Sequence, residues 1–197
     1  MRVAIIDSGC ANLASVAFGL ARAGAEPFVT KDPAEIAKAP RVILPGVGAA
    51  ATAMANLKKA GLNDLLPTLK QPVLGICLGM QILYEKSQEN EVDCLGILSG
   101  KVTRLSAGSG IRVPHMGWNQ LKIEGNIDPL VRGIPDKSYA YFVHSYYLPE
   151  GQNTIVSTDY GTGISAIVRK NNFWGCQFHP ELSGRVGQKI LSNFVRP

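Results

Sequence analysis

Apolar positions in the first half of the chain switch between two rhythms. Arg2–Ile6 is a short β-rich run, and after it Leu13, Val16, Ala17, Leu20 and Ala21 recur at helical spacing until Gly24 can end the helix. A second strand is predicted over 27–30. Asp32-Pro33-Ala34-Glu35 then supplies an N-cap, a proline at the first helical position and a carboxylate three residues after the cap. Residues 41–44 read as a third strand ending in Pro45-Gly46-Val47-Gly48, 49–59 as a helix of small residues, 72–76 as a fourth strand and 79–85 as a helix. Strands separated by helices imply right-handed crossovers and a mainly parallel sheet covered on both faces.

From Asp93 onward the rhythm changes. Residues 101–105, 119–123, 138–147, 154–158, 164–169 and 173–178 are β-rich runs parted by Gly, Asn, Asp and Pro turns, and 106–110 is a loop. A last helix fits 185–194, with Val186, Ile190 and Phe194 on one face. No repeat or linker interrupts the pattern, so residues 1–197 read as one α/β domain with a β-rich second half.

Composition narrows the function more than the fold. The chain has 197 residues, 46% hydrophobic and 18% charged, enough to bury a core without disulfides or metal. Its net charge is +5, yet the basic residues adjoin only at Lys58-Lys59 and Arg169-Lys170, so no nucleic-acid footprint is expected. Asp7 stops the first apolar run short of a signal-peptide core, and no stretch approaches the roughly 20 apolar residues that span a bilayer. Cys10, Cys77, Cys94 and Cys176 show no metal spacing and read as free thiols of a cytoplasmic protein. No cofactor, metal or membrane contact is indicated.

One of the four thiols stands apart. Gly75-Ile76-Cys77-Leu78-Gly79 has the spacing of a nucleophile elbow, set between a predicted strand and a predicted helix. A side chain on such a turn sits in strained backbone, and glycines two residues to either side remove the Cβ atoms that would clash. The expected place for the thiol is a helix N-terminus, where the dipole favours the thiolate and the Leu78 N–H can receive an oxyanion. Cys10, Cys94 and Cys176 have no such frame and read as small buried hydrophobes.

A base must come from three histidines. In His179-Pro180-Glu181 the proline biases His179 toward extended backbone, and in an extended segment residues i and i+2 point the same way, which puts the Glu181 carboxylate beside the ring. This is nucleophile, base and orienter in the order Cys, His, Glu, whereas α/β-hydrolases place the acid before the histidine. His115 and His144 have no acidic neighbour and read as packing or binding residues. Pro45-Gly46-Val47-Gly48, at a strand end on the same sheet edge as Cys77, offers flexible backbone for a second oxyanion donor.

These segments, with Gly75-Ile76-Cys77-Leu78-Gly79-Met80-Gln81 and Gln177-Phe178-His179-Pro180-Glu181 at their centre, resemble the class I (triad) glutamine amidotransferases. Within that class, Asp7-Ser8-Gly9-Cys10-Ala11-Asn12-Leu13, Pro114-His115-Met116-Gly117-Trp118-Asn119 and Tyr141-Phe142-Val143-His144-Ser145-Tyr146 are similar to the glutaminase subunits of imidazole glycerol phosphate synthases of histidine biosynthesis. The resemblance implies the class I amidotransferase fold, a central parallel or mixed sheet with flanking helices. It implies hydrolysis of L-glutamine to glutamate and ammonia, in a heterodimer with a (β/α)₈-barrel cyclase subunit that receives the ammonia. Such subunits are nearly idle until the partner has bound its substrate.

Carried over by motif, Cys77 is the nucleophile, His179 the base and then acid, and Glu181 the orienter. Val47 and Leu78 give the oxyanion N–H groups, and Gly46, Gly48, Gln81, Ser145 and Tyr146 hold glutamine. One position departs from the family: a basic residue usually follows His-Pro-Glu, and here it is Leu182, so either Arg185 substitutes or the contact there is apolar. Other readings of the same residues are a glutaminase subunit for anthranilate or pyridoxal phosphate synthesis, a cysteine peptidase or thiol hydrolase on a similar sheet, and a non-catalytic regulatory subunit.

Overall fold

The computed structural model describes residues 1–9, 11–108, 111–123 and 128–196. The expected free thiol at Cys10 and the end of the loop at Ser109-Gly110 lie outside the described residues. In chain order the elements are β1 (Arg2–Ile6), α1 (Leu13–Arg22), β2 (Glu26–Thr30), α2 (Pro33–Lys38), β3 (Val42–Gly46), α3 (Ala50–Lys59), α4 (Leu62–Leu65), β4 (Val73–Cys77) and α5 (Leu78–Gln81). They continue as β5 (Lys86–Ser87), β6 (Val92–Asp93), β7 (Lys101–Arg104), β8 (His115–Gln120), β9 (Tyr139–His144), β10 (Tyr146–Tyr147), β11 (Thr154–Asp159), β12 (Gly163–Lys170), β13 (Phe173–Cys176) and α6 (Gly184–Val195).

Seven strands form the main sheet in the order β11-β12-β13-β4-β3-β1-β2. Pairing is parallel from β2 through β1, β3 and β4 to β13, and antiparallel at β12 and β11. The sheet is therefore mixed, with the parallel part built by the expected crossovers. Its central strands are buried on both faces, which is why they read as unbroken apolar runs. In β1, Val3 and Ile5 face the layer of α1 and α6 with Leu20, Ile190 and Phe194. Ala4 and Ile6 face the opposite layer with Ile36 of α2, Leu57 of α3 and Leu62 of α4.

The α2 start behaves only partly as a capping box. Asp32 Oδ1 accepts from the Ala34 N–H at 2.8 Å, as an N-cap should. Glu35 instead accepts from the Thr30 hydroxyl, so it ties α2 back to β2.

Three predicted elements differ from expectation, each for a physical reason. The helix predicted over 79–85 stops as α5 at Gln81. Its last carbonyls are taken over by another segment, since the Leu95 N–H donates to Ile82 O and those of Ile97 and Leu98 to Leu83 O. The strand predicted over 119–123 lies earlier, as β8, paired with β9 from His115↔His144 to Gln120↔Tyr139. Burial alternates along β8, but with the polarity inverted: apolar Met116 and Trp118 are exposed while His115 is buried, so the hydropathy pattern does not announce the strand. The run 138–147 breaks at Ser145 into β9 and β10, because β10 turns away to pair with β7 in a separate four-stranded sheet.

Candidate active site

The elbow is imposed by backbone contacts. Cys77 ends β4 and precedes α5 with φ 53° and ψ −111°, a conformation that a side-chain-bearing residue adopts only under constraint. The constraint is visible at Gly79, where a Cβ would lie 1.7 Å from Leu44 O of β3, and at Gly75, where it would lie 2.6 Å from Gly79 O. The two glycines let α5 press onto β3 and β4, and that packing turns the chain at Cys77.

Cys77 opens onto a cavity of about 330 Å³ whose wall also carries His179. His179 Nδ1 lies 2.8 Å from Glu181 Oε1, and both side chains are buried. Bound this way, Nδ1 carries the proton; Nε2 is buried with no hydrogen-bond partner among the described residues, on the cavity wall that Cys77 shares. Burial opposes charge on the ring, but interaction with Cys77 and then Glu181 outweighs it and pushes the His179 pKa up to about 10.

His179 is also latched from behind. The His179 N–H donates to Tyr141 O at 3.0 Å. The Tyr141 N–H donates to Ser183 Oγ at 2.9 Å, and that hydroxyl donates to His179 O at 2.6 Å. Ser183 thus completes a bridge between the turn at His179 and β9.

A raised histidine pKa has a signed consequence. The pair's contribution to stability is complete below the unfolded value near 6.5 and fades as pH rises through the folded value near 10. In an NMR titration His179 is expected to hold its proton well above pH 6.5. Cys77→Ala should bring its midpoint down while Glu181 still supports it; a midpoint unmoved by the substitution would show that Cys77 does not act on the ring.

The structure brings Val47, Gly48, Leu78, Gln81, Ser145 and Tyr146 onto the same wall. Gly48 has φ 86°, a left-handed turn that its glycine permits. Gly46 lies behind the wall, paired with Cys77 in the β3–β4 register. Gln81 Nε2 donates to Tyr146 O at 2.7 Å and to Gln177 Oε1 at 3.0 Å, so it braces the cavity as well as lining it. The other described thiols are elsewhere. Burial pushes Cys176 far up, with Glu181 adding to it, and holds Cys94 at about 11 with help from Asp93. Both are free and unactivated.

Glu89, Pro114, Val143 and His144 also line the cavity; the last three lie in segments that carry the resemblance, where only His144 was read as a packing or binding residue, and Glu89 lies in no motif. Glu89 Oε2 accepts from the Ala50 N–H at 2.7 Å and so caps α3 from a distance. The missing cap was a usable signal: α3 starts after Ala49, which has no side chain able to cap it, so an acceptor had to come from another segment.

The mixed sheet, with a strained cysteine at the end of β4 and a carboxylate-backed histidine on the same cavity wall, fits the expected amidotransferase class. The family model described as glutamine amidotransferase class-I matches residues 4–197, and the chain belongs to that family. It is 48% identical over 193 residues to imidazole glycerol phosphate synthase subunit HisH of Xanthomonas campestris pv. campestris (strain 8004), covering 98% of this chain and 96% of that one. It is 45% identical over 196 residues to the subunit of the same name from Yersinia pseudotuberculosis serotype I (strain IP32953), covering 99% of both. A solved structure described as a glutamine amidotransferase has the same fold at 18% identity, with a TM-score of 0.76 over 98% of this chain and 96% of that one.

Proposed function

We propose that the chain is the glutaminase subunit of imidazole glycerol phosphate synthase, one domain over residues 1–197 acting in the cytoplasm. It hydrolyses L-glutamine to L-glutamate and ammonia, and the ammonia passes to a (β/α)₈-barrel cyclase that makes imidazole glycerol phosphate and an aminoimidazole carboxamide ribotide. The observation that carries this reading is Cys77, held at positive φ on the wall of the cavity that His179, backed by Glu181, also lines.

The chemistry follows from that placement. The Cys77 thiolate attacks the side-chain amide carbon of glutamine, and the oxyanion that forms is held by the N–H groups of Val47 and Leu78. His179, protonated at Nε2, gives that proton to the nitrogen as the C–N bond breaks, so ammonia leaves and a glutamyl thioester remains. Water then attacks the thioester, His179 takes its proton, and the C–S bond breaks to release glutamate and restore the thiolate. Glu181 keeps Nδ1–H bound throughout, so the ring stays oriented and its charge is compensated. Glu89, the one carboxylate lining the cavity among the described residues, complements the α-ammonium of the substrate, and Gln81, Ser145, Tyr146 and the Gly46-Val47-Gly48 turn hold the rest.

Leu182 is half-exposed, and Trp118, also exposed, reaches within 4.0 Å of where a side chain on Gly184 would begin. The partner contact at this position is therefore read as apolar rather than ionic. The function is tested with the chain reconstituted with its cyclase and that subunit's ligand. Glutamate should be released from L-glutamine, with no turnover of peptide or ester substrates. Ester or peptide hydrolysis without glutamine hydrolysis would replace this reading with that of a thiol hydrolase.

A further inference from the structure

His115 and His144 have no part in the triad, yet both are buried and bonded to each other, His115 Nδ1 to His144 Nε2 at 3.0 Å. The two ends of this pair fix which atom donates. At one end His144 Nδ1 lies 2.9 Å from the carbonyl oxygen of Tyr146, which can only accept. His144 therefore carries its proton on Nδ1 and accepts at Nε2, which makes His115 Nδ1 a donor. At the other end Asn119 Oδ1 accepts from the Gln120 N–H at 2.8 Å, so its amide nitrogen faces the other way. That nitrogen donates to Asp159 O at 2.8 Å and lies 3.3 Å from His115 Nε2. His115 Nε2 is thus an acceptor, the assignment already reached from the opposite end.

The result is one directed chain, Asn119 to His115 to His144 to Tyr146 O, from the β8–β9 hairpin to the cavity wall. Tyr146 O is also the acceptor for Gln81, so both of its lone pairs are used and the 145–146 segment is held from two sides. The His115 ring is further fixed by stacking on Tyr160 at 3.9 Å and Phe142 at 4.8 Å.

We propose that the His115–His144 pair is a positioning relay by which the β8–β9 hairpin sets the Ser145–Tyr146 wall, and with it the affinity for glutamine. The proposal rests on the glutaminase reading of the cavity. Neither ring needs to transfer a proton, and the surroundings keep both uncharged. Burial holds His115 down to about 4, and burial together with His115 and His179 holds His144 down to about 3. The titratable groups around the pair are Tyr160 against His115 and, on the cavity wall with His144, Cys77, Glu89, Tyr146 and His179. Because the wall holds substrate equally before and during the reaction, loosening it raises KM and leaves kcat in place.

Two measurements test this. In ¹⁵N-histidine spectra of the wild-type chain, both rings should show a protonated Nδ1 and a bare Nε2 across about pH 5.5 to 8; an Nε2–H tautomer or a cation at either ring overturns the relay. In the subunit assembled with its cyclase, His115→Phe keeps the stack and removes the bonds, and should raise KM for glutamine about five- to tenfold with kcat within about twofold. An unchanged KM, or a loss confined to kcat, overturns the positioning role. Should that variant not fold, Asn119→Ala at the half-buried end of the chain is expected to raise KM roughly threefold, and no rise is the contrary result. If wild-type protein released no glutamate, the glutaminase reading would fail, while the tautomers would still be decided by the spectra.

Discussion

Cys77→Ala should abolish glutamine hydrolysis and leave the fold intact. In the proposed mechanism the thiol forms and breaks the one covalent bond to substrate, so kcat should fall by about 10⁴-fold or more. Stability should hardly move. Alanine and cysteine pay the same backbone strain at φ 53°, and the sulfur's contacts are long, 3.8 Å to Val143 O and 3.9 Å to Gln177 Nε2. The expected loss is about 1 kcal/mol, or a few degrees of Tm for a chain of this size. Thermal unfolding and glutamate release on the same preparation check both halves. Retained hydrolysis would mean that the cavity works without its thiol, or that the regulatory-subunit reading is right and hydrolysis lies elsewhere.

Gly79→Ala should do the reverse and injure the fold first. The added Cβ would stand 1.7 Å from Leu44 O and 2.8 Å from Leu44 C, both backbone atoms of a central strand buried on both faces. No rotamer relieves a backbone clash, so α5 must lift from β3 at a cost of about 3 kcal/mol or more. That corresponds to a fall in Tm of roughly 10 °C. Whatever folds should also be slow, because lifting α5 moves Leu78 and Cys77 relative to Val47, and misplacement on the ångström scale costs about 10²-fold. Gly151→Ala is the matched control: its Cβ meets nothing within 4 Å and its φ is not positive, so its effect should stay within about 0.5 kcal/mol. Equal Tm values for the two variants would contradict the packing origin of the elbow.

What could be read from the chain and what could not divide along physical lines. The strands β1, β3 and β4 announce themselves because burial on both faces demands continuous apolar runs, and α1 and α2 because their caps and periodicity are local. The placement of Cys77, His179 and Glu181 was legible for a related reason: the glycine frame of Cys77 and the i, i+2 spacing of His179 and Glu181 express geometry over a few residues. Glu89 was not legible, since its place on the wall depends on capping a helix 39 residues away. Nor was the His115–His144 hydrogen bond, which depends on the register of β8 against β9. The length of α5 belongs to the same group, because it ends where another segment takes its carbonyls. Leu182 shows the converse, a local departure from the family pattern whose effect, on the proposed function, lies in a partner's surface.

The central claim is that one thiol, Cys77, carries the glutamyl group. The direct test treats the reconstituted enzyme with a glutamine analogue bearing an electrophilic carbon in place of the side-chain amide, then maps the adduct by mass spectrometry while following glutamate release. The account predicts one adduct per chain, on the peptide containing Cys77, with activity lost in step. Full activity with Cys77 completely modified, or inactivation with the adduct on Cys94 or Cys176, would contradict it.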